Sequence, residues 1–289
     1  MMEPLRKILV PTDGSPASEA AFPAIMPLVR AYHPEVALLY VYENPEKAYL
    51  PPAGVPKACT ALRSVGVNAT LEFAEGLPAR EILRAAHEKQ VDLIAISTHG
   101  RGGLVRLTAG SVAEEVLRKT DVPLLVNRPG TRIQEWKTLS VALDGSEQAE
   151  AVLPDVVALA RSLRATVELI QVVFPVLAGG VGETAIVLPP EDPRPYLNGV
   201  AARLESQGVT ARVVALEGPP AGELLRHLQA SGASLLCMTT HGRSGLARLF
   251  LGSVAEEVLR KAPCPVLLRR VAPVNGVSRE SSKQGVVVL

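Results

Sequence analysis

Aromatic residues are scarce in this chain, at 3% of 289 residues. Proteins that bind single-stranded nucleic acid stack bases on aromatic side chains, and this composition leaves little material for such a platform. The charges also nearly cancel, since 30 Lys and Arg face 29 Asp and Glu for a net charge of +1. There is no basic field to attract nucleic acid or an anionic membrane. We therefore expect neither as a partner.

Cysteine is equally rare, and long apolar runs are absent. Cys59, Cys237 and Cys264 lie far apart and form no CxxC or Cys/His spacing, so we predict reduced core thiols and no metal-ligating residues. No apolar run reaches the roughly 18 residues of a membrane span, and no apolar leader follows the basic start. These absences favour a cytoplasmic protein.

A long internal repeat is present. The segment STHGRGGLVRLTAGSVAEEVLRK, residues 97–119, returns as TTHGRSGLARLFLGSVAEEVLRK, residues 239–261, and ILVPTDGS returns as LSVALDGS. Asp144 follows Asp13 by 131 residues, whereas Gly252 follows Gly110 by 142, so the second copy carries 11 additional residues. They fall in a Gly- and Pro-rich insertion, residues 174–195, which we interpret as a surface loop: a passive excursion is favoured over a lid.

Within each copy, short β-branched apolar runs alternate with helical segments. The order predicts an α/β, Rossmann-like fold with a five-stranded parallel sheet and helices on both faces. We place the domains at 1–128 and 137–271, with a tail at 272–289, and expect Trp136 of the linker to pack the two halves together. Open parallel sheets bind ligands beyond the carboxyl ends of their strands, which draws attention to Asp13 and to the loop after Ile96.

The glycine-rich loop ends at the start of a helix. Ser111 with Glu114, and Ser253 with Glu256, have the spacing of a capping box. Glycines let peptide N–H groups face a ligand, and a helix N-terminus adds free donors, so the pattern could also seat a phosphate. Residue spacing alone leaves phosphate binding and structural turns as equal alternatives. Neither a Walker A loop nor a GxGxxG fingerprint occurs.

The succession of DGS, THGR, GSVAEEVLRK and PVLL resembles the universal stress protein family in its tandem form, over residues 5–128 and 137–271. The resemblance implies adenine nucleotide alpha hydrolase-like domains packed as an internal pseudo-dimer, with the last strand of each half meeting the other. It also implies ATP binding through the motif G-x2-G-x9-G-[ST]. The first glycine of that motif is replaced by Ser97 and Thr239, which we expect to weaken binding or leave it unchanged.

The same resemblance implies one nucleotide site in each copy. Asp13 and Asp144 would contact the nucleoside, the main chain at Val41 and Val172 would read the adenine edge, and the glycine loops would hold a triphosphate with Mg²⁺ or Mn²⁺. The first site comprises Pro11, Thr12, Asp13, Val41, Ile96, Ser97, His99, Gly100, Arg101, Gly110, Ser111 and Val112. The second comprises Ala142, Leu143, Asp144, Val172, Met238, Thr239, His241, Gly242, Arg243, Gly252, Ser253 and Val254.

Alternative roles remain open for several of these residues. His99 and His241 could fix the loop by hydrogen bonds instead of meeting a ligand. Arg101 and Arg243 are either phosphate partners or solvated loop charges. Because Leu143 replaces Thr12 in the second copy, we favour the first site.

The functional expectation is an ATP-binding regulatory protein of the stress response, with an unidentified protein partner and with a further homodimer left open. No catalytic residue is assigned. The glycine loops contain no lysine, which would make any ATPase or autokinase slow. A nucleotide-independent interaction module is the other alternative.

Overall fold

The computed structural model of the protein describes residues 5–44, 51–97, 112–131, 133–178, 186–188, 190–240 and 252–271. The first half, up to residue 128, alternates strands and helices as the sequence predicts. Its strands are β1 Lys7–Pro11, β2 Glu35–Tyr42, β3 Ala69–Glu75, β4 Leu93–Ser97 and β5 Leu124–Asn127; its helices are α1 Ala21–Tyr32, α2 Gly54–Ser64, α3 Pro78–Glu88 and α4 Val112–Lys119.

The second half, from residue 137, repeats this order with a divided first helix and an added pair of short strands. Its strands are β6 Thr138–Ala142, β7 Thr166–Val173, β8 Val176–Ala178, β9 Ile186–Leu188, β10 Ala211–Glu217, β11 Leu235–Thr239 and β12 Val266–Arg269; its helices are α5 Glu147–Glu150, α6 Leu153–Leu163, α7 Arg194–Glu205, α8 Pro220–Ser231 and α9 Ser253–Lys261.

Ten strands form one continuous sheet in the order β10-β7-β6-β11-β12-β5-β4-β1-β2-β3. Within each half all neighbours are parallel. At the centre β5 and β12 pair antiparallel, with Leu125 opposite Leu267. The α/β fold with two tandem domains is confirmed, and the last strands of the two halves meet as the family resemblance implied. The exact domain bounds remain a prediction.

Two apolar layers enclose the sheet. One layer contains buried residues of α1, α2, α6 and α7, and the other those of α3, α4, α8 and α9. Adjacent residues of β1 alternate between them, with Ile8 in the first layer and Leu9 in the second, as the period of a strand requires. Trp136 is 3% exposed and belongs to the first layer, which joins residues of both halves. This position agrees with its expected packing role.

The insertion is more ordered than a loop. Strands β8 and β9 pair antiparallel, with Val176 opposite Leu188, so the interpretation of residues 174–195 as a plain surface loop was wrong in this part. The runs VLA and IVL supply residues with high strand propensity, and this outweighed the Gly and Pro content on which the prediction rested. Residues 179–185 lie outside the described part.

Among the described residues, no helix has the length and apolar character needed to cross a membrane.

Candidate functional site

The segment Asp-Gly-Ser follows the first strand of each half and forms the same turn twice. The Asp13 Oδ1 atom accepts a hydrogen bond from the Ser15 peptide N–H at 2.9 Å, and Asp144 Oδ1 accepts one from the Ser146 N–H at 3.0 Å. The glycine between them has φ +74° in the first half and +84° in the second, a region that favours glycine. The turn holds each carboxylate at the carboxyl edge of the sheet.

The serine hydroxyl of this turn accepts a hydrogen bond from the helical segment that follows in each half. Ser15 Oγ accepts from the Ser18 N–H at 3.2 Å, and Ser146 Oγ accepts from the Ala149 N–H at 3.2 Å. Ser146 is thereby the N-cap of α5, whereas the turn at Ser18–Ala20 has Ala17 as its N-cap and no side-chain cap.

The peptide group of Val41 faces the space beyond the carboxyl end of β1, beside this turn. We call this space the first crevice, and its equivalent beyond β6 the second crevice. Successive residues of a central parallel strand direct their peptide groups alternately to the two neighbouring strands. The Thr12 N–H donates to the Leu39 carbonyl at 2.9 Å, whereas Gly76 on the other side donates to Tyr42 at 3.0 Å. The alternation therefore points the N–H and C=O of Val41 toward β1, at a level where β1 has already ended.

The second half repeats this arrangement. The Leu143 N–H donates to the Ile170 carbonyl at 2.9 Å, and the Gly218 N–H donates to Val173 at 2.9 Å. The peptide group of Val172 accordingly points toward β6, beyond its last residue. Each half thus presents a peptide donor and acceptor next to an aspartate at the point where strand order reverses.

Thr12 has a structural explanation. Its side chain is 6% exposed; Oγ1 lies 3.1 Å from Ser18 Oγ and accepts from the Gly14 N–H at 3.1 Å. Leu143 is 5% exposed at the equivalent position. The hydroxyl of Thr12 stabilises the turn, so its replacement by leucine is a weak reason to favour the first site.

The replacements at the first motif glycine are buried at the ends of β4 and β11. Ser97 is 9% exposed and pairs with Asn127, and Thr239 is 6% exposed and pairs with Arg269. Ile96 and Met238 precede them and are also buried. Thus Ser97 and Thr239 place little side-chain surface in solvent at the strand ends.

Gly252 brings the start of α9 against the end of β11. Its N–H donates to the Thr240 carbonyl at 3.2 Å, and a Cβ atom at this position would lie 3.1 Å from the same oxygen. A glycine permits this approach because a Cβ atom would require the two backbones to separate by a few tenths of an ångström. The approach places the N–H groups of the first turn of α9 near the strand end.

The capping box predicted at Ser253 was wrong. Gly252 is the N-cap, Ser253 is the first residue of α9, and no side chain among the described residues caps the helix. The Glu256 N–H donates to the Gly252 carbonyl at 2.9 Å, so the main chain closes the first turn. The backbone contact with Thr240 fixes the helix one residue earlier than the serine pattern predicts.

Several predicted site residues lie outside the described residues, so their ligand roles stay predictions. They are His99, Gly100, Arg101, Gly110, Ser111, His241, Gly242 and Arg243. Val112 begins α4 and Val254 lies in the first turn of α9. The first of the two predicted capping boxes also includes a residue of this undescribed segment.

The two halves differ beside the aspartate turn. In the first half a Cβ on Gly54 would lie only 2.2 Å from the Gly14 carbonyl oxygen, so α2 abuts the turn directly. In the second half Tyr196 of α7 stands at the equivalent sequence position. Burial, together with the nearby Glu150 and Asp144 carboxylates, raises the pKa of the Tyr196 hydroxyl well above its usual range. The second crevice is therefore bordered by a phenol and the first by backbone.

A buried polar cluster below the second crevice escaped sequence analysis. Glu168 of β7 lies 2.9 Å from His227 of α8 and 2.9 Å from Arg212 of β10, and Ser140 Oγ donates to it at 3.2 Å. The signal was a glutamate within the apolar run TVELIQVV. The cluster ties α8 to three strands, and it lies away from the carboxyl ends of the strands.

A second buried ion pair was also missed. Asp155 of α6 is fully buried and accepts two hydrogen bonds from Arg269, one of them 2.7 Å long. The first half has Ala24 and Asn127 at the equivalent positions, and Asn127 Nδ2 donates to the Ala20 carbonyl at 2.7 Å. The pair therefore belongs to the second half alone.

The fold defines a class: a doubly wound α/β protein in which the same aspartate turn recurs at the carboxyl end of the first strand of each half, where strand order reverses. Comparison with known proteins adds the family. The model of the universal stress protein family matches residues 4–128 and 135–270, and the chain belongs to that family.

Relatives and solved structures agree with this assignment. A universal stress protein of Methanocaldococcus jannaschii is 34% identical over 137 residues, covering 42% of this chain and 81% of the relative. One from Mycobacterium bovis is 29% identical over 223 residues, covering 74% and 72%. The crystal structure of a universal stress protein from Archaeoglobus fulgidus superposes with a TM-score of 0.73 at 20% identity, covering 92% of this chain and 99% of that one. This last likeness supports the fold alone.

Proposed function

We propose that the protein is a cytoplasmic regulatory protein of the stress response that binds one ATP in each half, with Mg²⁺ or Mn²⁺ on the phosphates. The observation that carries the proposal is the direction of two peptide groups: those of Val41 and Val172 point past the end of the neighbouring strand, beside an ordered aspartate. A peptide N–H and C=O side by side complement the donor and acceptor on the adenine edge. In the proposed site the carboxylate would accept hydrogen bonds from ribose hydroxyls.

The phosphates would extend toward the start of α4 or α9. Gly252 sets the N-terminus of α9 against the end of β11, and a helix N-terminus supplies peptide donors and a partial positive charge for anions. Gly242 and Arg243 in the second half, with Gly100 and Arg101 in the first, would complete this seat. The proposal assigns the metal ion to phosphate oxygens and not to protein ligands.

The proposal is tested by denaturing protein purified without added nucleotide and measuring released adenine nucleotide, followed by ATP titration calorimetry. We expect up to two equivalents per chain. A hundredfold excess of ATP over its dissociation constant should stabilise the fold by roughly 3 kcal/mol, which thermal melting can detect. Asp13→Ala and Asp144→Ala should each remove one equivalent.

Asp192→Ala provides a matched control. Asp192 Oδ1 accepts from the Arg194 N–H at 3.1 Å, a turn of the same type that follows neither β1 nor β6, so this variant should retain full binding. Loss of ATP binding in all three variants alike would show that the aspartates act through folding and not through a site.

A nucleotide-independent interaction module is the second candidate. It is favoured by the structural explanations for Asp13, Thr12 and Gly252, each of which has a partner within the chain. This candidate predicts no released nucleotide, no heat and no change in melting temperature. Hydrolysis of ATP at about one per second or faster, lost in the double variant Ser111→Ala with Ser253→Ala, would overturn the binding proposal and show that the protein is an enzyme.

A further inference from the structure

Two arginines cross the boundary between the halves and hold the far ends of the helices that start at the candidate sites. Arg128 of the first half donates to two carbonyls at the end of α9: Nη1 to Arg260 at 2.9 Å and Nη2 to Ala262 at 3.1 Å. A cation at a helix C-terminus satisfies free carbonyls and is attracted by the negative end of the helix dipole. The C-terminus of α9 is thereby fixed by the other half.

The reciprocal contact is made by Arg270 of the second half. Its Nε donates to the Thr120 carbonyl, directly after α4, at 2.8 Å, and its guanidinium also pairs with Asp121. The Arg270 side chain is 23% exposed. Arg270 follows Arg128 by 142 residues, the offset of the repeat, so the two contacts are equivalents across the pseudo-twofold.

Each arginine also lies next to a strand end of its own site. Arg128 follows Asn127, which pairs in register with Ser97 at the end of β4. The other arginine follows Arg269, which pairs with Thr239 at the end of β11. A residue adjacent to the first site thus holds the helix of the second, and the reverse is also true.

The connecting helices are short. α4 has 8 residues and α9 has 9, which makes them rods of roughly 12–14 Å at 1.5 Å per residue. A shift or ordering at the N-terminus of such a rod reaches its C-terminus within three turns. The crossed arginines would pass it to the strand end of the opposite half.

We propose that the two sites are energetically coupled through Arg128 and Arg270, so that occupancy of one changes the affinity of the other. This inference rests on the proposed ATP binding. The coupling is reciprocal by thermodynamic linkage, and couplings between sites commonly span about 5- to 150-fold. Since both contacts are near the surface, we expect roughly three- to tenfold.

The test compares the ATP affinity of the second site with the first site open or blocked by Asp13→Ala. With native arginines, the affinity of the second site in the Asp13→Ala variant should differ at least threefold from its affinity in the chain with both sites open. In the background of Arg128→Gln with Arg270→Gln they should become equal. Arg161→Gln is the matched control: Arg161 donates to the Gln207 carbonyl after α7 within one half, and its loss should leave the ratio unchanged.

The outcomes separate the two proposals. Binding of ATP with equal affinities in every background would overturn the coupling and leave the sites intact. Absence of ATP binding altogether would overturn both. If the double glutamine variant fails to fold, Arg270→Lys, which keeps the charge but loses the guanidinium geometry, should still lower the ratio; an unchanged ratio in that folded variant would also contradict the coupling.

Discussion

Replacement of Gly54 by alanine should disturb the first half and its site specifically. The new Cβ would lie 2.2 Å from the Gly14 carbonyl oxygen and 3.2 Å from its Cα. The oxygen contact must open by about 1 Å, since heavy atoms in van der Waals contact are well over 3 Å apart. Gly14 follows Asp13 directly, so the displacement falls on the turn that holds the carboxylate.

The expected cost can be estimated from other overpacked cores. Inserting atoms into a well-packed interior destabilises by about 1–3 kcal/mol, and the rigid backbone on both sides of this contact favours the middle of that range. For a chain of 289 residues, about 2 kcal/mol corresponds to a fall in melting temperature of roughly 3 °C. Thermal unfolding followed by circular dichroism measures it directly.

Gly199→Ala is the control for this variant. Gly199 lies inside α7, and a Cβ atom added there would meet none of the described residues within 4 Å, so alanine should stabilise the helix by about 0.5–1 kcal/mol. Calorimetry should further show a weakened first site in Gly54→Ala and an unchanged second site. Equal melting temperatures for Gly54→Ala and wild type would refute the argument that backbone contact determines this position.

Two further predictions concern buried charges and thiols. Asp155→Ala should destabilise by about 3 kcal/mol because it leaves Arg269 without its partner, and adding Arg269→Asn, which reproduces the pattern of the first half, should recover part of the loss in urea titrations. Burial raises the pKa of Cys264 to about 12, and burial also raises the pKa of Cys237 well above its usual value. The unfolded thiols lose their protons first as pH rises above about 9, so the free energy of unfolding should fall by up to about 1.4 kcal/mol per pH unit for each thiol. Chains with both cysteines replaced by alanine should lose this component; an identical pH dependence in those chains would contradict the assignment.

The repeat and the fold class could be predicted from the sequence, because strand periodicity and the ends of strands are local properties of the chain. The sequence could not predict why Gly252 is a glycine. That reason is a contact with Thr240 across a segment of the chain, and it appears only when helix and strand are packed. The serine pattern therefore gave the wrong cap.

The cluster around Glu168 is a second feature that the sequence could not predict. Its four members come from β6, β7, β10 and α8, and no spacing in the sequence relates them. A single glutamate in an apolar strand signals that a partner must exist, since a buried carboxylate without one is costly. Which residue serves as partner depends on the tertiary arrangement.

The antiparallel seam between β5 and β12 has an evolutionary consequence. When two separate copies of a chain form such a seam, every substitution appears on both sides of the twofold axis at once. Here the halves share one polypeptide, so a change can occur on one side only, and their association does not depend on protein concentration. The Asp155–Arg269 ion pair illustrates this freedom, because the equivalent positions of the first half are occupied by Ala24 and Asn127. Joining the halves in one chain allows the two crevices to acquire different tasks while one sheet keeps them in fixed register.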